Sequence, residues 1–133
     1  MKKNIENLIT PASIAYNNAY APYSKFQVGS AILDEKGQIH SGCNVENAAY
    51  PSGSCAEEQA IGNMVASGSR LIKEILVIGT SDKLVTPCGA CRQRIKEFCD
   101  KDTLIHICDT KRGYLQTFHL DELLTYSFGP DNL

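Results

Sequence analysis

The four residues Ile75-Leu76-Val77-Ile78 constrain this chain most. A run apolar on every side suits a central strand covered on both faces. Its flanks carry helical patterns. Ala56, Ala60, Met64 and Val65 recur at helical spacing and stop at Gly68. Pro87 opens a second predicted helix, with Ile95 and Phe98 on its inner side, and Leu104–Cys108 reads as another buried strand. This helix–strand alternation after residue 55 predicts an α/β sheet with helices on both faces.

Upstream, apolar residues at Ile5, Leu8, Ile9, Ala12, Ala15, Tyr16 and Ala19 follow helical spacing. Pro11 interrupts them, which predicts a short segment and then a helix from about Thr10. Ala21-Pro22-Tyr23-Ser24 reads as a loop. Phe26–Leu33 and Gln38–Cys43 read as strands of a hairpin turning at Asp34-Glu35-Lys36-Gly37. Residues 44–54 are expected to be irregular, Tyr114–Phe118 a last strand and Leu120–Leu124 a last helix. With 133 residues and no linker or repeat, the expectation is a single domain, 1–133.

Thirteen basic and 15 acidic residues give a formal charge of −2, which argues against a nucleic-acid partner. No apolar run approaches the ~20 residues of a membrane span, and the first residues lack the apolar core of a signal peptide. A cytoplasmic protein is expected. Six cysteines, at 43, 55, 88, 91, 99 and 108, are then more consistent with metal or redox chemistry than with disulfides.

Cys88-Gly89-Ala90-Cys91 is a C-x-x-C at a predicted helix start, where free N–H groups and the helix dipole favour thiolates. Alone it fits a redox pair, half a structural zinc site or two core cysteines. Cys55 stands at another predicted helix start. If both helices follow strands of one sheet, their N-termini can converge and hold zinc with three sulfurs, leaving an open fourth position as in catalytic sites. A four-cysteine structural site would need Cys43, Cys99 or Cys108, none of which forms a second C-x-x-C. Glu57 and Glu58 follow Cys55 and could supply a proton shuttle or be solvated first-turn acids. Helical spacing does not choose between them, because positions i and i+2 do not share a face.

Cys55-Ala56-Glu57 followed by Pro87-Cys88-Gly89-Ala90-Cys91 resembles the zinc deaminase signature. Ala21-Pro22-Tyr23-Ser24-Lys25-Phe26-Gln27-Val28-Gly29, Gly42-Cys43-Asn44-Val45-Glu46-Asn47-Ala48-Ala49-Tyr50, Cys88-Gly89-Ala90-Cys91-Arg92-Gln93 and Ser127-Phe128-Gly129-Pro130 resemble the small cytidine deaminases. The resemblance spans nearly the whole chain in matching order. It implies a three-layer α/β/α fold with a mixed five-stranded sheet, one Zn²⁺ per subunit on Cys55, Cys88 and Cys91, and Glu57 as acid/base. The implied reaction is hydrolytic deamination of cytidine and 2′-deoxycytidine in pyrimidine salvage. Asn44 and Glu46 match a ribose-binding pair, and Phe26 an aromatic against the base. Ala48 and Tyr50 match a loop near the nucleoside. Phe128 matches an aromatic that reaches a neighbour's site in a homotetramer.

One position departs from that pattern. Many small cytidine deaminases carry Arg after the catalytic Glu, bonded to the thiolates, whereas this chain has Glu58. Either Glu58 points away, or another cation substitutes, with Arg92 and Arg94 as candidates. Other readings are a deaminase of a modified cytosine nucleoside such as blasticidin S, a polynucleotide-editing deaminase, or a non-catalytic structural zinc protein.

Overall fold

The computed structural model describes residues 2–133. Its order is α1 (Lys2–Asn18), β1 (Gly29–Asp34), β2 (Ile39–Cys43), α2 (Ala56–Ala66), β3 (Ile72–Gly79), α3 (Gly89–Phe98), β4 (Leu104–Asp109), β5 (Gly113–Phe118) and α4 (Leu120–Leu123). Short 3₁₀ turns cover Tyr50–Ser52 and Pro130–Asn132. The strands form one five-stranded sheet in the order β2-β1-β3-β4-β5. Only β3 and β4 pair in parallel; the other neighbours are antiparallel. The sheet is therefore mixed.

Strand alternation sorts the core into two layers. Ile32, Ile75, Val77, Ile105 and Ile107 face α2, α3 and α4, where they meet Ala60, Met64, Ile95 and Leu120. Their neighbours Ala31, Leu76, Ile78 and Cys108 face α1, against Ile5, Leu8 and Ala12. The apolar run Ile75–Ile78 is thus shared equally by both layers.

Two close approaches lock helices onto the sheet. A methyl group at Gly42 would lie 2.5 Å from the Ala60 nitrogen and 2.6 Å from the Ala56 oxygen. One at Gly29 would lie 2.1 Å from the Ala12 oxygen. Glycine is needed at both positions because backbone meets backbone there.

Two expectations change. α1 runs unbroken from Lys2 to Asn18 with Pro11 inside it. The lost hydrogen bond is outweighed by packing: Leu8 and Ala12, on either side of Pro11, are fully buried. The strand expected from Phe26 begins at Gly29 instead. Asn44 takes over the pairing there: its Oδ1 accepts the Val28 N–H at 2.9 Å, and its Nδ2 donates to the Phe26 carbonyl at 2.8 Å.

Candidate metal centre and active site

β1 runs antiparallel to both of its neighbours, so β2 and β3 point the same way and end on one edge of the sheet. The chain leaving each of these ends leads into a helix, α2 and α3 respectively. The two N-termini meet above β1, at the carboxyl ends of flanking strands, where α/β sheets gather ligands. Cys55 is the N-cap of α2 (φ −86°, ψ 159°) and Cys88 the N-cap of α3 (φ −64°, ψ 168°).

The Cys55, Cys88 and Cys91 sulfurs lie within 4.8 Å of one another, with Cys55 and Cys88 4.0 Å apart. Zn–S bonds of about 2.3 Å at tetrahedral angles place sulfurs ~3.8 Å apart, so the cluster fits zinc with little adjustment. Burial pushes the Cys55 and Cys91 thiols up, Cys91 strongly. Burial also opposes ionisation of Cys88, but hydrogen bonds from the Cys91 N–H and from the other two thiols hold it below the ordinary value. Metal binding would displace the remaining protons. The other cysteines lie apart from this cluster: Cys108 is buried in the α1 layer, and Cys99 packs against the opposite core. Burial raises the Cys43, Cys99 and Cys108 thiols, Cys108 to about 11.

Glu57 is 4% exposed. Burial raises its carboxyl pKa, opposed by its own backbone N–H and the charge of Arg94. It lines the same cavity as Cys55 and Cys88 despite the i, i+2 spacing because Cys55 is a cap in extended conformation, outside the helical rotation. Glu58 turns the other way. Its Oε1 accepts the Cys55 N–H at 3.2 Å, half of a capping box, and its Oε2 lies 3.7 Å from Arg94 Nη2. Arg94 Nη1 donates to Cys91 Sγ at 3.3 Å. Arg92, the other candidate cation, instead binds the Pro87 and Leu123 carbonyls and Thr86 Oγ1, tying the loop before α3 to α4.

A cavity of about 300 Å³ opens over this cluster, walled by Phe26, Val28, Val77, Val85 and Thr86, with Cys55, Glu57 and Cys88 at its metal end. Asn44 and Glu46 line it and also the adjoining outer cavity of about 550 Å³, which includes Tyr23, Asn47 and Tyr50. The Glu46 carboxylate accepts the Tyr23 and Ser24 N–H groups at 3.0 Å each and the Ser24 hydroxyl. These bonds hold its pKa low. Ala48 and Phe128 line neither cavity. Phe128 is 59% exposed, with its carbonyl accepting from Gln93 Nε2 at 2.9 Å. Ser24, Val85 and Thr86 were not singled out from the sequence. Their positions beside Phe26 and just before Pro87-Cys88 were the available signal.

Three convergent thiols, a buried acid and a concave apolar wall define a zinc-dependent hydrolytic site. The match to known proteins is specific. Residues 2–107 match the cytidine and deoxycytidylate deaminase zinc-binding region, and the chain belongs to that family. A cytidine deaminase of Sporosarcina psychrophila is 40% identical over 130 residues, covering 98% of this chain and 95% of that one. One of Mycoplasma genitalium is 39% identical over 129 residues, covering 96% and 98%. The crystal structure of cytidine deaminase from Burkholderia pseudomallei superposes with a TM-score of 0.86 at 35% identity, covering 92% of this chain and 98% of that one. That from Mycobacterium tuberculosis gives 0.79 at 32% identity, covering 93% and 96%.

Proposed function

We propose that this protein hydrolyses cytidine and 2′-deoxycytidine to uridine and 2′-deoxyuridine, consuming water and releasing ammonia. The observation that carries this reading is the desolvated Glu57 carboxyl beside three convergent thiols on the floor of a base-sized cavity. Bound zinc supplies a Lewis acid that activates water for attack at C4 of the base. Glu57 would take one proton from that water and deliver it to N3, then take the second from the hydroxyl now on C4 and deliver it to the departing amine. Its burial favours this role, because desolvation raises the carboxylate's affinity for a proton and so helps it take one from water.

Cys55, Cys88 and Cys91 hold the metal, and Phe26 packs against the base. Asn44 and Glu46 take the sugar hydroxyls. Asn44 retains an N–H after bonding Phe26, and Glu46 retains lone-pair capacity after accepting from Tyr23 and Ser24. Tyr50, 76% exposed, Ala48 and Phe128 complete sites across the subunits of a homotetramer. The 133 residues act as one domain, supported by a single sheet carrying both core layers. No helix among the described residues is long and apolar enough to cross a membrane. A cytoplasmic setting, where thiols stay reduced, suits the three ligands.

Zinc-loaded protein incubated with cytidine, deoxycytidine, blasticidin S and a cytosine-containing oligonucleotide should release ammonia from the two nucleosides. Absence of turnover on both would sink the reading. Light scattering should give a tetramer mass; a monomer that turns over at full rate would remove the shared-site part.

A further inference from the structure

Three thiolates and one divalent zinc sum to −1, and an ionised Glu57 adds another negative charge to the same desolvated floor. Two helix N-termini offset only part of this, each being equivalent to roughly half a charge. The side chain that reaches the cluster with a full positive charge is Arg94, one turn along α3 from Cys91. Its Nη1 donates to Cys91 Sγ at 3.3 Å. Arg92 is two residues closer to the loop but spends its donors on Pro87, Leu123 and Thr86.

Arg94 is itself steered. Glu58 Oε2 stands 3.7 Å from Arg94 Nη2, while Glu58 Oε1 accepts the Cys55 N–H at 3.2 Å. A continuous chain therefore runs from the Cys55 backbone through Glu58 and Arg94 to the Cys91 sulfur. It joins the two helices that carry the ligands. We propose that Arg94 is a positioning residue that balances the charge of the metal centre through Cys91, and that Glu58 serves to aim it there. An Arg N–H on a coordinating thiolate withdraws charge from the sulfur, so the thiolate donates less to the metal and the metal stays a stronger Lewis acid. Glu58, an added negative charge beside the centre, is explained on this reading: its partner is the guanidinium, not the metal.

The proposal rests on the metal-centre reading above, so its test reads metal retention rather than turnover. Arg94→Gln, Arg94→Lys and Glu58→Gln proteins are loaded with zinc and titrated with a competing chelator. The same proteins are loaded with cobalt, and the sulfur-to-metal charge-transfer band is recorded. Arg94→Gln should bind zinc about 10–100-fold more weakly, because the net-negative zinc–thiolate cluster loses the cation that balances it. Its cobalt band should move to longer wavelength as the Cys91 sulfur regains charge. Arg94→Lys should recover part of the affinity, because a point charge remains. Glu58→Gln, which can still cap Cys55, should lose less than Arg94→Gln. Melting of the metal-free variants checks that the fold is intact. Affinity of Arg94→Gln within twofold of the parent with an unmoved band would overturn the proposal. Equal losses in the Gln and Lys variants would also overturn it, because charge would then be irrelevant. A parent protein that holds no zinc would sink the metal-centre reading first, and the proposal with it.

Discussion

The floor and the rim of the cavity are built on different principles. On the floor, Cys91 is fully buried, Glu57 is 4% exposed, and both ride on helices pressed against the sheet. At the rim, Tyr23, Phe26 and Tyr50 are 41–76% exposed and sit on segments outside the sheet. On the proposed function, the chemistry is assembled by rigid elements, whereas the grip on the substrate is left to side chains that this chain alone leaves uncovered. Orientation tolerances explain the division. Proton transfer needs groups placed within hydrogen-bond reach, while an apolar contact tolerates small shifts.

The sharpest way to break this contrast is at Glu57. Glu57→Gln should keep the fold and zinc but lower kcat by about 10²–10⁴-fold, measured by ammonia release against metal content. A variant retaining a substantial share of its activity would remove Glu57 from the floor's chemistry. The thiols come next. Cys55→Ala, Cys88→Ala and Cys91→Ala should each reduce bound zinc well below one per chain. Cys43→Ala, Cys99→Ala and Cys108→Ala should leave it at one; metal analysis after gel filtration decides.

Rim variants should behave differently. Tyr50→Ala and Phe128→Ala should raise KM by about 2- to 10-fold with a smaller effect on kcat, the scale of one lost aromatic contact. If kcat falls as steeply as for Glu57→Gln, floor and rim are not separable. The smallest effect concerns acid. Burial alone would raise the Asp34 carboxyl. Hydrogen bonds from His40 and from the Gln38 and Lys36 N–H groups instead hold it far below the ordinary value. A depressed carboxyl contributes stability above its unfolded pKa of about 3.9, and that contribution fades as pH falls toward the folded value. The melting temperature should therefore drop below about pH 4, less steeply in Asp34→Asn. Zinc content at neutral pH should stay unchanged, because this hairpin lies outside both cavities.

Much of the fold was legible because its signals are local. The run at 75–78 and the repeats from Ala56 to Val65 answer to single periods, and β3 and α2 lie where those periods put them. Pro11 misled because its cost is local, whereas the burial of Leu8 and Ala12 against the sheet is tertiary. Phe26–Val28 misled for a similar reason: its partner is the Asn44 side chain rather than a strand. At the site, the C-x-x-C motif opens a helix as expected, with Cys88 as its N-cap and Cys91 as its third residue. Which acid faced the sulfurs depended on the cap geometry of Cys55, which spacing does not encode. The Arg94 contact was legible only as one of two candidate cations.

The positions of the ligands along the chain also bear on how the protein holds together. Cys55 and Cys88 are 33 residues apart, with the whole of α2 and β3 between them. A metal held by both closes that segment into a ring, as a covalent staple would, and removes loop entropy from the unfolded chain. Unfolding must therefore open the ring or carry the metal along. Bound zinc would thus fasten the start of α2 to the start of α3 as well as serve catalysis, and a chelator that silences the enzyme should also lower its melting temperature.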